Sequence, residues 1–285
     1  MGFIPMGALM ERAYQKGYAI PAFCAWNAEV MAATLRVAER LEAPVILMQG
    51  PGEFPVLEPG TMASVARAVL GRYTEATAAL HLDHGDSLEL VRTCLDSGYS
   101  SVMLDFSTRS FEENTEGLAK VVELARPLSV TVEGELGHVG KADTVSMEGP
   151  GASSFTDPAL AQRFVEATGV EVLAVSIGNK HGFYQGEPKL DFGLLAELRD
   201  AARVPLVLHG GTGIPPADVE RAVSLGIAKV NVASELVHGL RSSLSSQWAA
   251  GRNLWTPGAI AEAMPSLEAT MEKWIRITGA VGKAH

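Results

Sequence analysis

Five short stretches concentrate the groups that could do chemistry: His81-Leu82-Asp83-His84-Gly85, Glu133-Gly134-Glu135, Asn179-Lys180-His181-Gly182, His209-Gly210-Gly211-Thr212-Gly213 and Asn231-Val232-Ala233-Ser234-Glu235. Three of their histidines, His84, His181 and His209, are each followed by glycine. Neutral imidazoles bind a divalent metal at about 2.0–2.1 Å, and three of them leave a fourth position open, as in catalytic zinc sites. Any one of these histidines alone would be read as a capped or core residue; three at the ends of apolar runs read as a metal set. His81 alternates with Asp83 and is read as structural, and His138, His238 and His285 as surface or loop residues. The glycine-rich turn His209–Gly213 and the segment Asn231–Glu235 both precede helical patterns. Exposed backbone N–H groups beside a helix N-terminus form an anion site. The turn is not a dinucleotide fingerprint, because the third glycine would fall on Pro216.

These stretches close apolar runs that read as strands: Ala19–Phe23, Pro44–Gln49, Ala78–Asp83, Ser101–Asp105, Ser129–Glu133, Val172–Ile177, Pro205–His209 and Ala228–Val232. Helical patterns lie between them at Asn27–Leu41, Leu88–Ser97, Phe111–Ala125, Pro158–Thr168, Asp191–Ala202 and Pro216–Leu225. Strand–helix alternation implies parallel strands, and runs that are apolar throughout imply strands buried on both faces. Eight such units predict a (β/α)8 TIM barrel, one domain over residues 1–285, with extra C-terminal helices at Leu236–Trp248 and Ser266–Thr278. An open doubly wound sheet would place a nucleotide site near the first strand, and none is seen there. In a barrel all strand ends meet on one catalytic face, with phosphate held after strands seven and eight. The scattered His, Asp, Glu and Asn residues therefore converge.

The bulk properties agree. The chain has 285 residues, 47% of them hydrophobic and 20% charged, which suits a globular protein with a substantial core. A net charge of −10 disfavours nucleic acid and anionic membranes as partners, but not a small phosphorylated ligand. Two cysteines, Cys24 and Cys94, make no disulfide framework and suggest a reducing compartment. The start Met1–Met6 has no signal-peptide pattern, and no apolar run is long enough to span a membrane, so a cytoplasmic location is expected.

Together, Asp83-His84-Gly85, Glu133-x-Glu135-Leu136-Gly137, His181-Gly182, His209–Pro215 and Lys229–Leu236 resemble the motifs of class II fructose- and tagatose-bisphosphate aldolases. Asp105-Phe106-Ser107 with Phe111–Asn114, and Glu272–Arg276, add to the resemblance, which runs from about Tyr18 to Val281. It implies that His84, His181 and His209 bind Zn2+, with Glu135 as an alternate ligand. It implies that Asp83 carries a proton to and from the aldehyde-derived oxygen and that Asn231 contacts the enediolate. Gly182, Gly210, Gly211, Thr212, Asn231, Ala233 and Ser234 would hold the phosphate of dihydroxyacetone phosphate, with Na+ or K+ beside it near Gly182 and Gly210. The family is usually a homo-dimer or homo-tetramer. A lysine Schiff base, the alternative route, would need Lys180 or Lys229, and both lie inside the zinc-family motifs.

Four positions depart from the family pattern. Asp143, expected on a mobile lid around Gly140–Ser154, stands where the family has the glutamate that deprotonates the ketone. Cys24 replaces an asparagine, Met48-Gln49-Gly50-Pro51 replaces a serine-bearing turn, and Asn179-Lys180 replaces small or hydroxyl residues. The resemblance thus implies zinc-dependent reversible cleavage of a ketose 1,6-bisphosphate, fructose or tagatose, to dihydroxyacetone phosphate and glyceraldehyde 3-phosphate. The departures keep open a class II aldolase for another phosphorylated ketose or aldehyde. A metal-dependent isomerase or epimerase and a non-catalytic barrel partner subunit are the remaining alternatives.

Overall fold

The apolar runs form eight strands: β1 (Ile20–Cys24), β2 (Val45–Gln49), β3 (Ala78–Gly85), β4 (Ser101–Leu104), β5 (Thr131–Leu136), β6 (Val172–Val175), β7 (Leu206–Leu208) and β8 (Ile227–Val232). In the computed structural model, which describes residues 2–142 and 154–285, they pair in parallel and in chain order, and β1 closes the barrel on β8. Strand residues are buried almost throughout, as the unbroken apolar runs require. Each fully buried Val, Leu or Ile contributes about 1.5–3 kcal/mol, so the strand layer supplies much of the driving force for closure.

Among the described residues ten α-helices surround or follow the barrel: α1 (Met6–Lys16), α2 (Ala28–Arg40), α3 (Pro59–Leu70), α4 (Leu88–Asp96), α5 (Phe111–Ala125), α6 (Pro158–Thr168), α7 (Phe192–Ala202), α8 (Pro216–Ser224), α9 (Ser234–Ala249) and α10 (Thr256–Ile277). Sequence starts are clearest where a side chain caps the helix. Asn27 Oδ1 accepts from Val30 N at 2.9 Å, and Ser110 forms a capping box with Glu113. Two helices, α1 and α3, were not expected, and neither has a side-chain N-cap. The last helix was expected at Ser266–Thr278 but starts at Thr256 and runs through Pro265. An interior proline normally ends a helix. Here the helix is held to its neighbour by the Arg36–Glu268 and Arg40–Glu272 ion pairs and by buried Leu267, Met271 and Trp274.

Helix α1 lies across the bottom of the barrel. Gly7 N donates to Thr131 Oγ1 at 2.7 Å and Ile4 N to the Ala78 carbonyl at 2.9 Å, both at the starts of strands. The opposite, C-terminal face is left for the loops that carry the chemistry. Two strands reach further toward it than the apolar runs suggest. β3 continues to Gly85 and β5 to Leu136, so His84 and Glu135 belong to strands. Among the described residues no helix is long and apolar enough to cross a membrane.

Candidate active site

Inward positions on the strands follow from the register. Ala22 pairs with Asn231, Cys24 with Met48, Met48 with His81, and Met103 with Glu133. Side chains alternate, so Asp83, Glu135 and Asn231 join Cys24 and Met48 in the upper inward layer. Lys229, His81 and Glu133 lie one layer below. A barrel interior is normally filled by branched aliphatic groups. Here Lys229 is fully buried, and its Nζ donates to Glu133 Oε2 at 2.8 Å.

The three histidines expected as a metal set come together from the end of β3, the loop after β6 and the end of β7. One ring nitrogen from each of His84, His181 and His209 lies within 4.8 Å of the others. Their ring centroids stand 4.6–5.6 Å apart. The backbone shows why glycine follows each. His84 sits at φ +46°, rare for a residue with a Cβ, and a Cβ on Gly85 would lie 2.5 Å from the Met103 carbonyl oxygen. At Gly210, φ is +65° and a Cβ would lie 2.1 Å from the Lys180 carbonyl oxygen. The strand ends approach so closely that only glycine fits.

Each ring is aimed by its other nitrogen where a partner is seen. His84 Nδ1 lies 2.7 Å from Asp105 Oδ2, and Ser107 N donates to Asp105 Oδ1 at 3.0 Å. His209 Nε2 lies 2.9 Å from Glu133 Oε1, which turns Nδ1 toward the mouth. That Nδ1 is buried 3.2 Å from Glu135 Oε2 with no directional hydrogen bond between them. His181 is fixed through its backbone: its N–H donates to the Gly140 carbonyl at 2.9 Å, and its carbonyl accepts from Ala142 N at 2.7 Å. Carboxylate-backed histidines are the usual outer shell of a metal site.

The electrostatics point the same way. Burial pushes Asp105 up, but His84 and the Ser107 N–H overcome it and hold the carboxyl far below its usual range. Burial also raises Glu133, while Lys229 and His209 pull it down to about 2. Burial works against a charged His209, yet its contacts with Glu133 and Glu135 raise it to about 9. The pocket of Asp83, Asp105, Glu133 and Glu135 thus draws a positive charge to His209, beyond the one Lys229 supplies to Glu133. A divalent cation would meet that demand with neutral imidazoles, since metal and proton compete for the same nitrogen. The donor set, its aim and the charge balance therefore fit a divalent metal.

Asp83 is buried, and its Oδ1 accepts from Asn231 Nδ2 at 3.1 Å. Burial alone would raise it, but His84, His81, Lys229 and His209 hold it well below the ordinary value. Burial and the Lys229 charge lower His81, keeping it neutral between Asp83 and Glu133 at 3.7 and 3.6 Å. His81 thus lies in the polar interior with Asp83 and Glu133. His138, expected as a surface or loop residue, lies in the loop after β5 but is buried, 3.0 Å from Ser107 Oγ and 3.8 Å from Glu135 Oε1. Its backbone pairs with Ser154, which its own neighbours in sequence do not signal.

Six of the seven residues expected at the phosphate line one small pocket: Gly182, Gly210, Thr212, Asn231, Ala233 and Ser234, with His181 and Met48. The pocket opens at the N-terminus of α9, where Ala233 caps with no side-chain bond. Gly211 supports it from behind. Its N donates to the Asn231 carbonyl at 3.0 Å, and a Cβ there would meet Val230 at 2.7 Å. Glu235, next to the pocket, is turned away by Trp274 Nε1 at 2.7 Å and by Lys273.

Of the departures, Cys24 and the strand-two turn form one unit. Cys24 Sγ donates to Glu53 Oε1 at 3.3 Å, and Glu53 Oε2 accepts from Gly50 N at 2.7 Å. Glu53 was not foreseen, since its link to Cys24 spans 29 residues. Asp143 lies outside the described residues, as does most of the expected lid. Its neighbour Ala142 is tied to His181, and Ser154 pairs with His138 through bonds of 2.9 and 3.0 Å. The buried Lys229 leaves no exposed amine for a Schiff base at that position.

Comparison with known proteins follows this geometry. Residues 4–283 match the sequence model of the family described as Fructose-bisphosphate aldolase class-II. Escherichia coli K12 YdjI, described as an uncharacterized protein, is 42% identical over 226 residues, 79% of this chain and 80% of its own. The crystal structure described as the YdjI aldolase matches with a TM-score of 0.88 at 33% identity, covering 99% of this chain and 100% of the other. A Campylobacter jejuni fructose-bisphosphate aldolase shares the fold, with a TM-score of 0.83 at 21% identity over 99% and 97% of the two chains.

Proposed function

The chain belongs to the class II fructose-bisphosphate aldolase family, and on that footing we propose that it is a zinc-dependent lyase cleaving a ketose 1,6-bisphosphate to dihydroxyacetone phosphate and glyceraldehyde 3-phosphate. The observation that carries this reading is the trio His84, His181 and His209 set beside the Gly182–Gly210–Ser234 pocket. A phosphorylated ketone can reach donors and pocket at once. The bound zinc would act as a Lewis acid that stabilises the negative charge of the enediolate. The backbone around Gly210–Thr212 and the start of α9 hold the phosphate and so orient the ketone. Asn231 Oδ1, not engaged by Asp83, accepts from the enediolate hydroxyl. Asp83, held as a carboxylate, takes the proton of the hydroxyl whose carbon becomes the aldehyde and returns it in the synthetic direction. Asp143 removes the α-proton of the ketone in the synthetic direction and returns a proton to the enediolate carbon in cleavage. A monovalent Na+ or K+ beside the phosphate, a homo-oligomer and a cytoplasmic location belong to the same reading.

Cleavage of fructose and tagatose 1,6-bisphosphates, assayed side by side for dihydroxyacetone phosphate release, tests the substrate. Turnover of either supports the reading; release from neither, with zinc bound, overturns it. The Cys24–Glu53–Gly50 unit favours a second reading, an aldolase for another phosphorylated ketose. A carboxyl at the mouth would meet a hydroxylated aldehyde better than an anionic one. For the base, Asp143→Asn should stop exchange of the α-hydrogen of dihydroxyacetone phosphate with solvent while binding persists. Exchange at the wild-type rate would move the role to Glu135.

A further inference from the structure

Two side chains outside the metal and phosphate sets, one buried and one half-buried, tie the segment after β6 to the end of β7. Asn179 is fully buried. Its Oδ1 accepts from Ile177 N at 2.9 Å, and its Nδ2 donates to the carbonyls of His209 at 3.0 Å and Val175 at 3.4 Å. The amide thus shapes its own turn and reaches across to a metal-set histidine. Tyr184 forms the second strap. Its hydroxyl accepts from Lys180 N at 2.7 Å and donates to the Gly210 carbonyl at 3.4 Å. Burial raises the phenol to about 12, so it stays a neutral donor. The ring packs under the glycine turn, where a Cβ on Gly213 would lie 3.2 Å from Tyr184 Cδ2.

The two straps bracket His181 in sequence, and both end on His209 or Gly210. The clearance between these segments is already minimal, because Gly210 can carry no Cβ against the Lys180 carbonyl. A hydroxyl and an amide therefore set a spacing that the backbone alone would not hold. Neither residue lines the phosphate pocket. Asn179 is also one of the departures from the family pattern, and this bond to His209 gives it a physical reason.

We propose that Asn179 and Tyr184 are positioning residues that fix the separation of His181 from His209 and dock the Gly210–Gly213 turn onto it, so that cation affinity and phosphate affinity rise together. The proposal deepens the aldolase reading and rests on it for the phosphate half alone. The test measures zinc affinity by chelator competition, and dihydroxyacetone phosphate affinity by calorimetry, in Tyr184→Phe and Asn179→Ala. Loss of an outer-shell partner typically costs a metal site about 10- to 100-fold in affinity. Tyr184→Phe should weaken both zinc and dihydroxyacetone phosphate by roughly tenfold. Asn179→Ala should weaken zinc at least as much. A hydroxyl deletion away from the site, Tyr73→Phe, should change neither. A merely structural role would lower the melting temperature and leave both affinities alone. Zinc affinity within about twofold of wild type in both variants would overturn the proposal. Should the wild type bind zinc but not dihydroxyacetone phosphate, the aldolase reading falls, while the zinc measurement still decides the role of the straps.

Discussion

Exhaustive chelation should abolish cleavage, and added Zn2+ or Co2+ should restore it. The reason lies in the charges around the mouth. Cleavage leaves negative charge on the oxygens of the three-carbon fragment. Asp83, Asp105, Glu133 and Glu135 already crowd that volume. Among the described residues the buried cation beside them, Lys229, is engaged by Glu133 at 2.8 Å. The other positive charge there, the proton that Glu133 and Glu135 hold on His209, occupies the position that a metal would take. Lewis-acid stabilisation is worth several kcal/mol, and each 1.4 kcal/mol is about tenfold in rate, so the chelated enzyme should lose roughly three powers of ten or more. Replacing His209 by alanine should do the same without chelator, with zinc content falling in parallel. Full turnover in a demonstrably metal-free preparation would remove the basis of the proposed chemistry.

Asp83→Ala should fold and retain zinc yet lose about 10²- to 10⁴-fold in turnover, the usual worth of a positioned acid–base group. The carboxylate is buried and hydrogen-bonded to Asn231, and the charges around it keep it ionised. That state suits a group that must accept a proton when the carbon–carbon bond breaks. Its backbone neighbour is His84, so an orienting role is the competing explanation. Zinc content separates the two. An Asp83→Ala protein that loses metal together with activity would speak for orientation, and one that keeps full activity would exclude both roles.

Much of this site could be read from the chain because barrel topology makes strand ends meet. Once His84 and His209 lay at ends of parallel strands and His181 in the segment that follows another, convergence followed without any distance being known. The glycines after them were legible for the same reason, since close approach leaves no room for a Cβ. Long-range partners were not legible. Asp105 behind His84, Glu133 behind His209, Glu53 on Cys24 and Tyr184 on Gly210 each depend on register or loop path, which periodicity does not encode. That His138 is a loop residue could be read, but not its burial, which depends on Ser107 and Ser154, distant in sequence. In the fold, α1 and α3 were not read from the sequence. The start of α10 escaped because Pro265 ordinarily ends a helix and here is carried by tertiary ion pairs and buried contacts.

The most direct measurement is solvent hydrogen exchange into dihydroxyacetone phosphate, because it isolates enolisation from the unknown aldehyde. The protein with zinc is incubated with dihydroxyacetone phosphate in D2O and followed by proton NMR. One hydrogen on the hydroxyl-bearing carbon beside the carbonyl should be replaced by deuterium. The replacement should stop on chelation and resume with Zn2+. No exchange in zinc-loaded protein that binds dihydroxyacetone phosphate, or exchange at an equal rate without metal, would contradict the site described above.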